Sequence, residues 1–208
     1  MKLTILAASG ATGLELTRQA LERGHDVTTI SRDPNRVAVP DHARLTKVAA
    51  DIRDPDSLAR ALLDSTTVLS GLGIAKGERP GVLTEGANGL VRARLERIIW
   101  LGAFGTGATA DAAGAFTRTL LKVFLKADLE DKIASDTAVL AAGGTVFHAG
   151  PLSNGPVSPD RRTLTPEQTP RRFFPAGVSR ATVAVAAAML DEAESARFPG
   201  RTVVPVER

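Results

Sequence analysis

A glycine-containing segment near the start of the chain has the residue types and spacing of a phosphate-binding turn. It runs Ala7-Ala-Ser-Gly10-Ala-Thr-Gly13, between a short apolar run and residues at helical spacing. A turn from a strand into a helix presents backbone N–H groups and the positive end of the helix dipole to an anion. Gly10 and Gly13 match the second and third glycines of a G-x-x-G-x-x-G loop. The segment predicts a dinucleotide site, the alternative being glycines that merely end a strand.

The first position of this loop departs from the usual pattern. Ala7 stands where a glycine is usual, so a methyl group is present at the tightest point of the turn. Alanine suits such a turn if its φ stays negative, because a Cβ atom disfavours the left-handed region. The turn is therefore compatible with Ala7 on the condition of a negative φ, and the close packing at this position is left open.

The residues after the predicted second strand indicate which dinucleotide is preferred. NAD sites place an acidic residue here for the ribose 2′-hydroxyl, whereas NADP sites offer arginine to the 2′-phosphate. This chain has Ser31 and Arg32 at the selecting positions, with Arg36 about a turn later, while Asp33 is better suited to cap a helix. We expect NADP(H) to be preferred, the alternative being that Arg32 is only a solvated side chain.

Strand and helix patterns alternate along the rest of the chain. Strands are predicted over 3–7, 25–30, 45–49, 67–70, 97–101, 145–148 and 201–205. Helices are predicted from Asp33-Pro34 and Asp54-Pro55, over 82–95 and 115–141, and from Ser179. Parallel strands need crossovers, and the crossovers cover both faces of the sheet. The sequence predicts an α/β fold with a doubly wound parallel sheet, in a single domain over 1–208.

Composition excludes several other classes of function. The chain has 208 residues, no cysteine and three histidines, which removes thiolate chemistry and leaves little for a metal site. The charge of +3 is too small to indicate a nucleic-acid partner. No apolar run is long enough to span a membrane, and no secretory signal is visible. We expect a cytoplasmic protein without a metal, a nucleic-acid partner or a membrane contact.

Several motifs together resemble one known family. They are residues 8–13, Ser31-Arg-Asp-Pro34, Ala50-Asp51, Gly71-Leu-Gly73, Thr84-Glu-Gly86, Gly150-Pro-Leu152 and Val178-Ser-Arg-Ala181. They resemble the atypical short-chain dehydrogenase/reductases, and within them the NAD(P)H-binding group with flavin reductases and biliverdin-IXβ reductase. The likeness covers nearly the whole chain. It implies a Rossmann-type fold and NADP(H) as cofactor, and it says little about the substrate.

The resemblance also implies which residues hold the cofactor. The pyrophosphate would contact the turn, and the 2′-phosphate would contact Arg32 and Arg36. Other segments would flank the adenine, line the ribose and nicotinamide, or pass near the nicotinamide. The residues implied at the pyrophosphate are Ser9, Gly10, Ala11, Thr12 and Gly13. Asp51 and Ile52 would flank the adenine, and Leu72 and Gly73 would line the ribose and nicotinamide. Gly150, Pro151 and Leu152 would pass near the nicotinamide.

The chain departs from this family where substrate and nicotinamide would meet. Gly102-Ala103 follows the fifth strand, where relatives usually carry one or two serines. His148-Ala-Gly stands where Arg-Pro-Gly is common after the sixth strand. Both departures bear on the reaction rather than on which cofactor is bound.

The chain has no tyrosine, which excludes the Tyr-x-x-x-Lys mechanism of typical short-chain dehydrogenases. Lys132 and Asp136 match a Lys-x-x-x-acid pattern of atypical relatives, or form an i,i+4 surface ion pair. His148 is a candidate proton donor or substrate contact, or else a structural histidine. Ser153 and Asn154 are comparable polar candidates.

Without such an acid, a conjugated acceptor suits the site best. Flavins, quinones and similar rings delocalise the electrons of a hydride, and solvent can supply the proton.

Residues 104–131 are a candidate lid. Residues 150–177 carry Arg161-Arg162 and Arg171-Arg172 beside Phe173-Phe174, which suit a planar anionic ligand or a solvated loop. We expect an NADPH-dependent reductase of a small planar acceptor, the alternative being a non-catalytic NADP sensor; epimerase or dehydratase chemistry is disfavoured.

Overall fold

The computed structural model describes residues 1–75, 77–111, 113, 126–153, 155, 160–169 and 182–206, in which strands and helices alternate. The strands are β1 (Lys2–Leu6), β2 (Asp26–Ser31), β3 (Leu45–Ala49), β4 (Thr67–Ser70), β5 (Arg97–Ala103), β6 (Thr145–Ala149), β7 (Arg162–Leu164) and β8 (Thr202–Val206). The helices are α1 (Ala11–Glu22), α2 (Pro55–Ala61), α3 (Val82–Arg92), α4 (Lys126–Ala141) and α5 (Thr182–Ser195).

The strands form an eight-stranded sheet in the order β3-β2-β1-β4-β5-β6-β8-β7. All neighbouring strands pair in parallel except β7, which is antiparallel to β8. The chain leaves β1 toward β2 on one side and returns to β4 on the other, so the direction of winding reverses between β1 and β4. Ligands of doubly wound sheets bind at this reversal, beyond the carboxyl ends of the strands. The predicted Rossmann-type parallel sheet is confirmed.

Helices cover both faces of the sheet. On one face α1 packs against α5, and on the other α3 packs against α4. The core is correspondingly split into two clusters: one contains Phe147 and Met189, and the other contains Trp100 and Leu90. Strands β4 and β6 are buried at every residue, as expected for parallel strands that are covered on both faces.

The amino end of α3 is held by a side chain from the neighbouring helix. Gly81 precedes α3 in a left-handed conformation and offers no side chain as a cap. Asp131 of α4 supplies the cap instead, because its carboxylate accepts hydrogen bonds from Leu83 N at 3.1 Å and Thr84 N at 2.8 Å. This buried contact joins α3 to α4 close to the carboxyl ends of the strands.

The structure differs from the predicted elements at a few points. The sequence predicts a loop over 150–177, but in the structure this segment contains β7. Arg162 of β7 pairs with Val206 of β8. Three residues at a sheet edge are too few to show an alternating pattern. The helix predicted from Asp33 is a single turn, Pro34–Arg36, with Asp33 Oδ1 accepting from Asn35 N at 3.0 Å. Ser179 and residues 115–125 lie outside the described residues. Within the described part of the chain, no helix has the length and apolar character needed to cross a membrane.

Candidate functional site

The turn from β1 into α1 has a backbone conformation that favours glycine. Ala7 adopts φ 59°, so the turn does not meet the condition of a negative φ at this alanine. Gly10 N donates a hydrogen bond to Ala7 O at 3.0 Å, which closes the turn. A left-handed alanine is disfavoured by about 1–2 kcal/mol, and the hydrogen-bonded turn holds it there. The turn therefore keeps the shape of the glycine loop without its first glycine.

The two remaining glycines of the turn serve different purposes. A Cβ atom at Gly13 would lie 2.4 Å from Ala7 O and 2.6 Å from Ala8 Cα, so α1 packs on the end of β1 only because this residue is glycine. A Cβ atom at Gly10 would meet only Ala7 O, at 3.4 Å. No other contact within the described part of the chain requires glycine at position 10. Its small size instead leaves the amino end of α1 open toward the adjoining cleft.

Gly10 is the N-cap of α1 and contributes no capping side chain. The N–H groups of the first helical turn have no partners within a helix. They lie beside a cleft of about 430 Å³ at the carboxyl ends of the strands. Backbone N–H groups and the helix dipole together make this end of the cleft suitable for a phosphate group.

Most of the predicted cofactor residues line this one cleft. They come from the β1–α1 turn, the ends of β2 and β3, the end of β4 and the segment after β6. The residues are Ser9, Gly10, Ala11, Thr12, Ser31, Arg32, Arg36, Asp51, Ile52, Leu72, Gly73 and Leu152. Gly13, Gly150 and Pro151 are described but do not line the cleft. Gly13 is packed against the backbone of Ala7 and Ala8 behind the turn. Gly150 and Pro151 come directly before Leu152, which does line the cleft.

Ser31, at the end of β2, provides a test of whether a dinucleotide fits. Its Oγ atom is buried and has no hydrogen-bond partner among the residues that the structure describes, although the residue lines the cleft. A buried hydroxyl without a partner is unfavourable by about 1–3 kcal/mol. A ribose or phosphate oxygen at this point would satisfy the hydroxyl, so the residues present fit the cofactor that the sequence predicts.

A cluster of charged side chains stands at the mouth of the cleft beside Ser31. Arg32 Nη1 lies 3.4 Å from Glu78 Oε2, and Arg53 Nη2 lies 3.3 Å from Glu78 Oε1. Arg53 and Glu78 both line the cleft, and neither is predicted from the sequence. The sequence could have indicated Arg53 only by its position, because it directly follows the predicted adenine contacts Asp51 and Ile52. Glu78 lies in the segment after β4 and carries no motif.

The predicted adenine contacts lie in the turn between β3 and α2. Asp51 Oδ1 accepts a hydrogen bond from Arg53 N at 2.9 Å, which leaves the other carboxylate oxygen of Asp51 for the cleft. Asp54 then caps α2, accepting from Asp56 N and Ser57 N. The cap predicted from Asp54-Pro55 is confirmed, and it places Asp51 and Ile52 at the cleft wall.

His148 lies in a buried hydrogen-bonded group between β6 and α4. Its Nδ1 atom is hydrogen-bonded to Thr109 Oγ1 at 2.7 Å, and its Nε2 atom to Asp136 Oδ2 at 2.9 Å. All three residues are buried, and His148 does not line the cleft. Both ring nitrogens are therefore engaged within the protein. A role for His148 as proton donor stays a prediction.

The position of Asp136 contradicts one interpretation of the sequence, namely a surface ion pair with Lys132. An exposed ion pair with Lys132 requires Asp136 at the surface, but Asp136 is buried and pairs with His148. Among the residues that the structure describes, Lys132 and Asp136 form no ion pair. The surface-pair interpretation is wrong because the tertiary fold turns Asp136 toward β6.

The predicted substrate contacts are only partly described. Leu152, which is predicted to lie near the nicotinamide, lines the cleft. The carbonyl of Ser153, a predicted substrate contact, accepts a hydrogen bond from Thr182 N at 3.0 Å, at the start of α5. Asn154 lies outside the described residues, as do Arg171, Arg172, Phe173 and Phe174 and much of the predicted lid. Arg161 donates to Asp191 at 2.9 Å and lies in a different cavity. In the described ranges, no group of three or more histidine and acidic side chains could hold a metal ion.

Comparison with known proteins relates the chain to a family and to solved structures. The sequence profile of the NAD(P)H-binding family matches residues 7–193. An uncharacterised protein of Bacillus subtilis (strain 168), YwnB, is 39% identical over 66 residues, which is 29% of this chain and 31% of that protein. The chain therefore matches about a third of that relative's length.

Solved structures share the fold over almost the whole chain. A short-chain dehydrogenase/reductase from Veillonella parvula DSM 2008, in complex with NADP, has a TM-score of 0.78 at 18% identity, with 99% of this chain and 94% of that chain covered. A protein proposed to be an NADH-flavin reductase, from Streptococcus pneumoniae TIGR4, has a TM-score of 0.75 at 17% identity, with full coverage of both chains. At these identities the likeness shows the fold alone. The family match spans most of the chain and includes the glycine turn, so this protein belongs to the NAD(P)H-binding family, as its motifs predict.

Proposed function

We propose that this protein is an oxidoreductase that uses NADPH to reduce a conjugated acceptor such as a flavin or a quinone. The observation that carries the proposal is the pairing of the open amino end of α1 with Ser31 and Arg32 in one cleft. The first feature suits a pyrophosphate, and the other two suit a 2′-phosphate. The unpartnered Ser31 hydroxyl supports a polar ligand at that point.

The residues of the cleft divide the work of holding the cofactor. Ser9, Gly10, Ala11 and Thr12 would hold the pyrophosphate at the amino end of α1. Arg32 and Arg36 would hold the 2′-phosphate, with Asp51 and Ile52 beside the adenine. When bound, the reduced nicotinamide would supply the hydride. Apolar side chains of Leu72, Leu101 and Leu152 also line the cleft and would limit access of water to the reacting atoms.

The acceptor class follows from the side chains that are missing. The chain has no tyrosine, and Gly102-Ala103 at the end of β5 provides no hydroxyl. A ketone that accepts hydride needs a proton immediately, whereas a conjugated ring holds the electron pair in a delocalised anion. NADPH would thus be oxidised to NADP⁺, the hydride would bond to the ring, and water would supply the proton. The protein would act mainly by proximity and orientation.

A non-catalytic NADP sensor is the second candidate. It is favoured by the hydrogen bonds of His148, which engage both ring nitrogens inside the protein and leave neither for a substrate. Such a protein would bind the dinucleotide in the same cleft but would not oxidise it. The two candidates therefore differ in turnover and not in binding.

Anaerobic assays of NADPH oxidation would separate these two candidates. The acceptors are FMN, riboflavin, a soluble quinone and a simple ketone, each assayed with NADPH and with NADH. We expect turnover with flavin or quinone, much slower turnover with the ketone, and a preference for NADPH. Tight NADPH binding by calorimetry without oxidation by any acceptor would favour the sensor. Rapid ketone reduction would contradict the proposed acceptor class.

A further inference from the structure

One carboxylate joins two guanidinium groups at the mouth of the cleft. Glu78 contacts Arg32 through Oε2, at 3.4 Å, and Arg53 through Oε1, at 3.3 Å from both Nε and Nη2. The Glu78 side chain is only 15% exposed, although the segment that carries it lies at the surface. The carboxylate is thus drawn between the two arginines, and it lines the same cleft as Ser31.

The two arginines are held very differently. The Arg53 side chain is 15% exposed, its Nη1 atom donates to Glu85 at 2.8 Å, and its Nη2 atom donates to the Arg79 carbonyl at 2.6 Å. The Arg32 side chain is 64% exposed, and Glu78 is its only hydrogen-bond partner among the described residues. Without Glu78, Arg53 would keep these two contacts. Its Nε and Nη2 edge would then be free for another anion.

We propose that Glu78 is an internal competitor for the 2′-phosphate of NADPH, and that Arg53 is a second guanidinium that receives this phosphate once Glu78 is displaced. The proposal rests on the NADPH preference proposed above and extends it to two residues that no motif identifies. The edge of a guanidinium binds a carboxylate or a phosphate in the same bidentate manner. A group bound by Arg32 and Arg53 together would lie in the cleft that the buried hydroxyl of Ser31 also lines.

Charge balance gives the reason for displacement. Arg32 and Arg53 carry two positive charges, which Glu78 and Glu85 neutralise within the cluster. A 2′-phosphate adds up to two negative charges at pH 7, so Glu78 would repel it at close range. NADH lacks this phosphate and would leave Glu78 in place. Glu78 therefore lowers the affinity for NADPH selectively, and its removal should raise it.

Calorimetric titrations with 2′,5′-ADP and 5′-AMP isolate the contribution of the 2′-phosphate, and NADPH and NADH serve as the full cofactors. Glu78→Gln should tighten binding of 2′,5′-ADP and NADPH by about three- to tenfold. Binding of 5′-AMP and NADH should change by less than about twofold. The matched control is Glu85→Gln, which removes a carboxylate that pairs with the same guanidinium but does not line the cleft. That control should change every affinity by less than about twofold.

Substitution of Arg53 tests the second half of the proposal. Arg53→Gln should weaken 2′,5′-ADP and NADPH by about tenfold, and Arg53→Lys by less, since lysine keeps the charge but loses the bidentate edge. Neither variant should weaken 5′-AMP. Circular dichroism and thermal melts of each variant verify that the fold is retained. If Arg53→Gln unfolds the protein, the lysine variant alone decides: equal losses for 2′,5′-ADP and 5′-AMP would overturn the assignment.

Other results would overturn the competitor role. Weaker NADH and 5′-AMP binding in Glu78→Gln would mean that Glu78 is a ribose ligand, and equal gains for all four compounds would mean that it merely narrows the cleft. If the unmodified protein does not prefer 2′,5′-ADP to 5′-AMP, the proposed NADPH preference fails together with this inference. If that preference is present and Glu78→Gln does not alter it, only the competitor role fails. These titrations need no acceptor, so a lack of turnover does not affect them.

Discussion

The imidazole of His148 occupies the space into which a side chain at Gly102 would project. A Cβ atom on Gly102 would lie 2.7 Å from His148 Cδ2 and 3.0 Å from Asp136 Oδ1. Gly102 and His148 are paired across β5 and β6. Both residues depart from the pattern of the family that the chain resembles, and the two departures meet at this contact. His148 therefore fills the space that a larger residue at position 102 would need.

This contact predicts that Gly102→Ala is destabilising. The added methyl group must displace the imidazole or Asp136, so we expect the free energy of unfolding to fall by about 1–3 kcal/mol. Urea denaturation measures the loss. Gly73→Ala is the matched control, because a Cβ atom there would have no neighbour within 4 Å. If Gly102→Ala is as stable as the control, His148 can move aside without penalty.

Replacement of His148 should affect stability more than catalysis. His148→Ala leaves Asp136 and Thr109 without their partner in a buried site, which we expect to lower the free energy of unfolding by about 1–3 kcal/mol or more. Turnover with a flavin or quinone should fall by less than the roughly 10²–10⁴-fold that follows loss of a general acid. Steady-state rates on the folded variant test this expectation. Ketone reduction that depends strictly on His148 would show that it is the catalytic acid.

Arg32→Ala should separate the two cofactors. We expect it to weaken NADPH binding by about 1.5–3 kcal/mol, the range for a hydrogen bond to a charged group, and to leave NADH nearly unchanged. Arg18→Ala, on the exposed face of α1 and paired with Glu15, is the control. Calorimetric titration gives both affinities. Equal losses for NADPH and NADH would mean that Arg32 is only structural.

The two glycines of the β1–α1 turn should respond in opposite ways to substitution. Gly10→Val should abolish dinucleotide binding while retaining the fold, because its side chain would project toward the pyrophosphate site and meets little of the protein. Gly13→Ala should destabilise the fold itself, since its methyl group would overlap Ala7 O. Calorimetry and urea denaturation on both variants provide the comparison. Undiminished binding by Gly10→Val would remove the main support for the cofactor site.

The stability of the protein at acid pH should depend on Glu194, at the end of α5. Burial raises the pKa of Glu194, but hydrogen bonds from His25 and Arg23 outweigh it and hold the pKa below its ordinary value. A carboxyl group with a lower pKa in the folded state stabilises the protein above its unfolded pKa, about 4.3, and loses this contribution as the pH falls through the folded value. Glu194→Gln should therefore flatten the decline of stability below about pH 5.

Urea denaturation from pH 7 to pH 3 measures this dependence. The effect should be modest, because Glu194 is more than a third exposed and solvent screens its ion pairs. Glu22→Gln, an exposed glutamate on α1, is the control. An unchanged acid limb in Glu194→Gln would mean that these hydrogen bonds do not persist in solution.

The sequence by itself determined the fold class and the position of the cofactor turn. Apolar runs, the Asp54-Pro55 cap and the spacing of Gly10 and Gly13 are signals within a few residues, and each acts through local backbone geometry. The order of strand and helix then implied a parallel sheet, because parallel strands require crossovers. Ser31 and Arg32 were predictable for the same reason, since Ser31 ends β2 and Arg32 directly follows it.

Only the tertiary structure decided which distant residues meet. Glu78 joins Arg53 across 25 positions of sequence, and His148 joins Thr109 across 39. No local pattern marks such pairs, because they depend on how the ends of different strands converge. Even the conformation of Ala7 required the structure, since its φ is set by the hydrogen bond that closes the turn and by the packing of Gly13 on β1. Local propensity favours a negative φ there, and the closed turn overrides it.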